Sequence, residues 1–301
     1  MKALIICMLS LLFFSAAQKE KTDYEKYNLK GKVKTLYESI DLYKDSVHWY
    51  GGLHYVTERN FNEKGYLTKI VLHRDYSDTS TGPVIVFHYD EHDNETEEIS
   101  YGTNSKVTYI YDDKDHLMKK TILMKVDSLH EYGNKSPGEF EIYKYDINGR
   151  QTEIDNLELD STLNQRTLIN YGINNIKTEK VFDNKGVLLF GEITKGNCIE
   201  NVSYDPDGVI ASKSICCSDR HGNFTVDSAF FREGLTKRII VYDSNDNIIQ
   251  IDMVYKQGNY KEENSQKYVY KFDSIGNWTR QTLFQNDTLN MIISRRLLYY
   301  K

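Results

Sequence analysis

Three short stretches bring together side chains with metal-binding or nucleophilic chemistry. His88, Asp90, His92 and Asp93 crowd six residues, a spacing at which imidazoles and carboxylates could share a divalent cation. Cys217, Asp219 and His221 offer a thiol, a carboxylate and a base within five residues. The run DSNDN from Asp243 to Asn247 has the first half of a calcium loop but lacks its glycine and its distal glutamate. Each has a plainer reading. A nucleophile and its base must converge in a shielded pocket, whereas successive side chains of one strand or loop project to alternating faces. The acids of the first and third stretches occupy turn positions that recur along the chain. His130-Glu131 lacks the second histidine of a zinc motif, and neither a P-loop nor a G-x-S-x-G elbow is present. The expectation is a non-enzymatic protein with no cofactor and no metal.

The elements that hold these side chains are more legible than any site. One phrase recurs nine times: an aromatic, then Asp or Asn, two variable residues, then Gly, Asp or Asn. It appears as FNEKG at 61, YDEHD at 89, YDDKD at 111, YDING at 145, YGINN at 171, FDNKG at 182, YDPDG at 204, YDSND at 242 and FDSIG at 272. The second residue can close an Asx-turn, and the fifth tolerates a left-handed backbone. Gly65, Asp90, Asp112, Asp146, Gly149, Asp183, Gly186, Asp205, Gly208, Asp243, Asp273 and Gly276 are the expected turn residues. Before the tips, Phe87 with Tyr89, Tyr109 with Tyr111, Tyr143 with Tyr145, Ile240 with Tyr242 and Tyr270 with Phe272 share one face at period two. His88, Lys144 and Lys271 point the other way. The 11-residue step from Tyr171 to Phe182 puts one of those two copies at the opposite edge.

Composition agrees with hairpins. The chain has 301 residues, 24 of them Tyr and only 3 Pro, and the near absence of alanine after residue 17 excludes helical bundles and doubly wound α/β folds. The fold class predicted is all-β: a long antiparallel meander of some fourteen to eighteen strands, forming a twisted or curved sheet that is open or partly rolled. Lys2, the apolar run Ala3 to Phe14 and Ser15-Ala16-Ala17 read as a signal peptide over residues 1–17. A charged stretch follows at 18–27, then one β domain over 28–301. A net charge of -6 with both signs interspersed disfavours nucleic acid, and no later segment reads as a transmembrane helix.

The repeated phrase resembles the YD repeat of the Rhs family. NLKGKVKTLYES at 28–39, FNEKGYLTKI at 61–70 and the closing IGNWTRQTLFQNDTLNMIISRRLLYY at 275–300 resemble exported YD-repeat proteins of Bacteroidetes. That resemblance implies successive hairpins in a curved sheet that can wind into a hollow shell, and supplies no activity. Asp-Ser/Thr-apolar triplets such as Asp273-Ser274-Ile275 and Asp287-Thr288-Leu289 resemble an O-glycosylation motif of the same group, although turns also favour them.

The leading functional expectation is a cell-envelope or secreted binding or scaffold protein, periplasmic, outer-membrane-associated or free. It would engage a protein or glycan through a sheet face or edge, with aromatics such as Trp49 and Trp278 as contacts where they lie on an exposed concave surface; cross-strand packing is the plainer use of the same rings. The alternatives are an outer-membrane β-barrel or an envelope enzyme with an unrecognised site. Against the membrane barrel, Lys237 and Arg238 put a charge on each face of one strand. In an oxidising compartment the three remaining cysteines either stay unpaired or form one bridge, and a bridge is expected to join Cys198 to Cys216, with Cys217 on the other face, if Tyr204 stands opposite Ile210. Intact-mass measurement of the exported protein is expected to find a chain starting at Gln18; a retained leader or an added lipid contradicts the signal-peptide reading.

Overall fold

A computed structural model describes residues 22–42, 56–73, 82–124, 138–173, 176–231 and 234–301. The leader, Trp49, His130-Glu131 and Asn175 lie outside the described residues. A one-turn helix α1 (Asp23–Lys26) precedes β1 (Val33–Leu42), β2 (Val56–Phe61), β3 (Leu67–His73), β4 (Val84–Tyr89) and β5 (Glu95–Ser100). Next come β6 (Ser105–Tyr111), β7 (Leu117–Met124), β8 (Gly138–Tyr145), β9 (Gln151–Glu158) and β10 (Leu163–Tyr171). The second half holds β11 (Lys177–Asp183), β12 (Leu188–Lys195), β13 (Cys198–Tyr204), β14 (Ile210–Ser218) and β15 (Phe224–Phe231). It ends with β16 (Gly234–Tyr242), β17 (Ile248–Gln257), β18 (Tyr260–Phe272), β19 (Trp278–Gln285) and β20 (Thr288–Tyr299).

Every strand pairs antiparallel with its neighbours in sequence, and β1 also pairs with β20, from Val33 opposite Tyr299 to Leu42 opposite Met291. The meander therefore closes into a 20-stranded barrel. This corrects the expected open or partly rolled sheet of fewer strands. The seam brings together residues such as Glu38 and Arg295, 257 positions apart, and no local pattern marks it. Its physical reward is that no row of unpaired N–H and C=O groups is left at an edge.

Connections leaving even-numbered strands form one rim, the near rim; those leaving odd-numbered strands form the far rim. Seven of the nine phrases lie on the near rim. FDNKG, between β11 and β12, and YDPDG, between β13 and β14, lie on the far one. At Asp90 the carboxylate accepts the N–H groups of His92 and Asn94, each at 2.9 Å. Asp112, Asp146, Asp183, Asp243 and Asp273 likewise accept from residues two and four further on. Asp205 closes its tip through its carbonyl, which accepts the Gly208 N–H at 2.8 Å. Gly65, Gly149, Gly186, Gly208 and Gly276 hold φ between +75° and +93°, the region where a side chain is strained. A tenth copy, SDRHG at 218–222, has the same bonds from His221 and Asn223 to Asp219. Ser218 in place of the aromatic hides it in the sequence.

Two further devices accompany the tips. The register slips by one residue beside the first position of the phrase, a β-bulge, in nine of the hairpins. In five of them the extra residue is a threonine: Thr68, Thr96, Thr152, Thr225 or Thr279. Its hydroxyl donates to the carbonyl that the bulge leaves across the strand, at 3.1–3.3 Å. Adjacent hairpins are then tied by phenols. Tyr89 donates to the Leu67 carbonyl, Tyr111 to Glu95, Tyr145 to Leu117, Tyr242 to Phe224 and Tyr270 to Ile248, all at 2.7–3.0 Å.

The bulge also decides the cysteines. Tyr204 does stand opposite Ile210, but the slip beyond it sets Ser203 against Ser212 and Cys198 against Cys217. The disulfide joins Cys198 to Cys217, not to Cys216, whose side chain lies on the other face beside Asp227. The expected pairing fails because one inserted residue, Ala211, turns the face of everything that follows.

Gly65 and Gly186 separate backbone strain from packing. A Cβ on Gly65 would lie 2.6 Å from the Tyr24 ring, whereas one on Gly186 meets nothing within 4 Å. Gly186→Ala is expected to cost about 1–2 kcal/mol from its positive φ alone, and Gly65→Ala about 1–3 kcal/mol more from the clash, read from urea midpoints. Equal losses would contradict the seating of Tyr24 on the β2–β3 tip.

Candidate functional site

Residues 23–30 cross the near rim. The Tyr24 N–H donates to Gly65 O at 3.1 Å and Asp23 accepts the Leu67 N–H, both at the β2–β3 hairpin. Four residues on, Asn28 donates to the Asn245 carbonyl at the β16–β17 tip, and Lys30 exchanges backbone bonds with the Asn277 side chain. Those tips are separated by roughly 24 Å of wall, taking about 4.8 Å per strand, while four residues span at most about 14 Å. So short a segment must cut across the concave side, and it partly plugs the near end of the lumen.

This fixes which face is inside. Tyr24 and Tyr27 pack on Phe61, Arg59 stacks on Tyr27, and the principal core of Val33, Leu36, Phe61 and Leu67 lies beneath them. The register carries that face round the ring, through Leu36 opposite Arg59 and Leu297, Arg59 opposite Ile70, and Ile70 opposite Ile85. The paired aromatics of the phrases point into the lumen, where Tyr143, Ile154 and Ile169 form a second small core. Away from these clusters most residues of both faces are half-buried or exposed, with Val56, Val71 and Ile292 buried on the outward face. All seven residues of β13 are half-buried, whichever way they point.

The lumen wall is acidic along β5–β12. Glu95 and Glu98 on β5, Glu139 and Glu141 on β8, Glu179 on β11 and Glu192 on β12 all face in, relieved by Lys120 and Lys177. Burial, and then the charge of Glu98, pushes the Glu95 carboxyl up to about 7, against a bond from Tyr109. Burial raises Glu98 and Glu192 as well; Glu179 adds repulsion at Glu192. On the outer face the charges alternate in sign across strands. Lys106 pairs with Glu97, Lys144 with Glu153 and Asp155, Arg166 with the same two acids, and Lys213 with Glu200.

The residues singled out for chemistry are dispersed. Asp90 is engaged by the backbone of its own tip, His92 bonds Asp115 at 2.7 Å, and His88 faces outward beside Glu97. Cys217 is held in the disulfide, so it offers no thiolate; His221 bonds Asp246, and Asp219 caps its own turn. Asp243 spends both oxygens on Asn245 and Asn247. Trp278 faces the lumen, where the Arg295 guanidinium lies 3.4 Å from its ring centre. What sequence reasoning missed is the plug and the charges beneath it. The recurrence of threonine seven residues after the aromatic was a visible signal for the bulges.

No family profile matches the chain, and no curated protein matches it. Among solved structures, a TcdB2–TccC3 toxin complex with Cdc42 is 13% identical over 78% of this chain, with a TM-score of 0.32. The Photorhabdus luminescens Tc holotoxin pore is 14% identical over 76%, at 0.34. The chain spans only 15% and 14% of those toxin chains. A porin-like protein from Bacteroides uniformis is 9% identical over 89% of this chain and 98% of its own, at 0.40. These scores are too low to fix a shared fold; closure rests on the pairing of β1 with β20.

The raised Glu95 carboxyl makes a signed pH test. Its folded value lies above the ordinary 4.5, so the fold favours the protonated form. That contribution is complete below about pH 4.5 and is lost as pH rises towards 7. Glu95→Gln is expected to match the wild type in urea midpoint near pH 4 and to exceed it at pH 8. Equal midpoints at both pH values would contradict a desolvated Glu95.

Proposed function

We propose that the chain is an exported, hollow β-barrel of the cell envelope, of YD-repeat type, that works by holding a solute or a partner segment in its lumen rather than by catalysis. Closure supports a barrel over the open scaffold sheet expected from sequence, and it removes the edge through which a partner was expected to pair. The face that remains for binding is the inner one, lined with acids and tyrosines and partly closed at the near rim by residues 23–30.

The observation that carries the choice of surroundings is the outer wall. A lipid-facing band must be free of charge over some 25 Å, yet Lys106, Lys144, Arg166, Lys213 and Lys237 stand within strands on the outward face. The inner face carries its own charges, so neither face offers an apolar belt. This supports water on both sides. A second reading, the outer-membrane barrel, is favoured by the closed ring itself, since strands cross a bilayer only without a free edge. No helix among the described residues is long and apolar enough to cross a membrane, which leaves that reading untouched.

Fractionation of the native host and purification without detergent decide between them. The expected result is a protein that is released by osmotic shock or found in the medium, stays dispersed in plain buffer, and runs at one gel position with or without boiling. Retention in outer-membrane vesicles with heat-modifiable mobility would establish the membrane barrel instead.

A further inference from the structure

Beneath the plug, two arginines share one carboxylate. Glu38, Arg59 and Arg295 come from β1, β2 and β20, the three strands that meet at the seam, and all face the lumen. The Glu38 carboxylate accepts from Arg295 Nε at 2.9 Å and lies 3.5 Å from Arg59 Nη1. The side chains of Arg59 and Arg295 are only 16% and 8% exposed. Their charges repel, and burial pulls Arg295 below the ordinary arginine value. Among the described residues one positive charge is therefore uncompensated in a screened position, and Arg59 Nε has no hydrogen-bond partner. Farther round the lumen, Arg238 gives both Nε and Nη2 to the carboxylate of Asp227.

The rings around the pair fix where a ligand would approach. Tyr27 covers the face of the Arg59 guanidinium at 5.0 Å, and Trp278 covers that of Arg295 at 3.4 Å. With its face covered, a guanidinium presents donors only along its edge, in the plane that matches the two oxygens of a carboxylate or phosphate. We propose that the near end of the lumen, between Arg59 and Arg295, is a binding site for a small oxyanion, with Glu38 as the internal carboxylate that competes for it. The site needs an aqueous lumen but is independent of envelope location and of the cargo bound elsewhere. Detergent dependence of the protein would not alter the titration below.

The probe is inorganic phosphate, with acetate as a second arm, titrated into the processed protein at low ionic strength while the fluorescence of Trp278 and the melting temperature are followed. Saturable phosphate binding is expected, weakened tenfold or more in Arg59→Gln and Arg295→Gln and unchanged in Arg238→Gln. Glu38→Gln is expected to bind at least tenfold more tightly, because the internal competitor is gone. A merely structural carboxylate would give the opposite sign, a destabilised protein that phosphate does not rescue. Acetate competing with phosphate would identify a carboxylate-accepting site, and phosphate alone a phosphate site; either supports an oxyanion. Absence of saturable binding in both the wild type and Glu38→Gln, or equal loss in Arg238→Gln, would overturn the proposal. Should an arginine variant fail to fold, the sign of the Glu38→Gln effect decides by itself.

Discussion

The pairing of β1 with β20 is the constraint on which the rest of the molecule depends. A hairpin meander of this length has two free edges whose backbone groups need partners, and its right-handed twist gives it curvature. Joining the edges satisfies the backbone and converts curvature into an enclosed space. It also brings Glu38, Arg59 and Arg295 together, which no pair of adjacent hairpins elsewhere could do. Once closed, the wall does not need a continuous apolar interior. Buried apolar side chains cluster where residues 23–30 cover the lumen end and where Tyr143, Ile154 and Ile169 meet, and Val56, Val71 and Ile292 are buried on the outward face near the seam.

Stability is thus distributed over repeated local bonds rather than concentrated in a core. At most of the tips an Asp or Asn holds two backbone N–H groups, a left-handed residue reverses the chain, and a bulge throws one residue out of register. In five of the bulged hairpins threonine satisfies the carbonyl the bulge exposes, and in five a tyrosine hydroxyl ties the tip to the neighbouring strand. Each bond is worth on the order of 1 kcal/mol, but the motif recurs around the ring. The amphipathic tyrosine suits this use: its ring lines the lumen and its hydroxyl finds a carbonyl.

Much of this was legible in the sequence because it is local. The phrase from aromatic to glycine located the tips, and period two assigned Tyr109 and Tyr111, or Tyr143 and Tyr145, to one face. Closure was not legible, since it is a contact between opposite ends of the chain. The cysteine register failed for a subtler reason: Tyr204 was correctly set against Ile210, but the bulge at Ala211 exchanged Cys216 for Cys217. The candidate site was the least visible part. Glu38, Arg59 and Arg295 sit in unremarkable alternating runs, and only the seam and the overlying Tyr27 make them a group. The histidines and acids that looked chemical were instead turn residues, because turn chemistry and metal chemistry draw on the same side chains.

The seam has a consequence for how the barrel is made. Strands form in order as the chain is delivered, and each new hairpin finds its neighbour at once. The outer edge of β1, however, waits for β20, which comes last. Through that interval the nascent sheet carries two open edges, the state in which sheets add foreign strands. Closing the ring then requires loop closure across almost the whole chain, which is slow compared with hairpin formation. The segment leading into β1 can seat before or after this through the open near rim; what cannot be deferred is the seam, for which any foreign strand that reaches β1 first competes with β20.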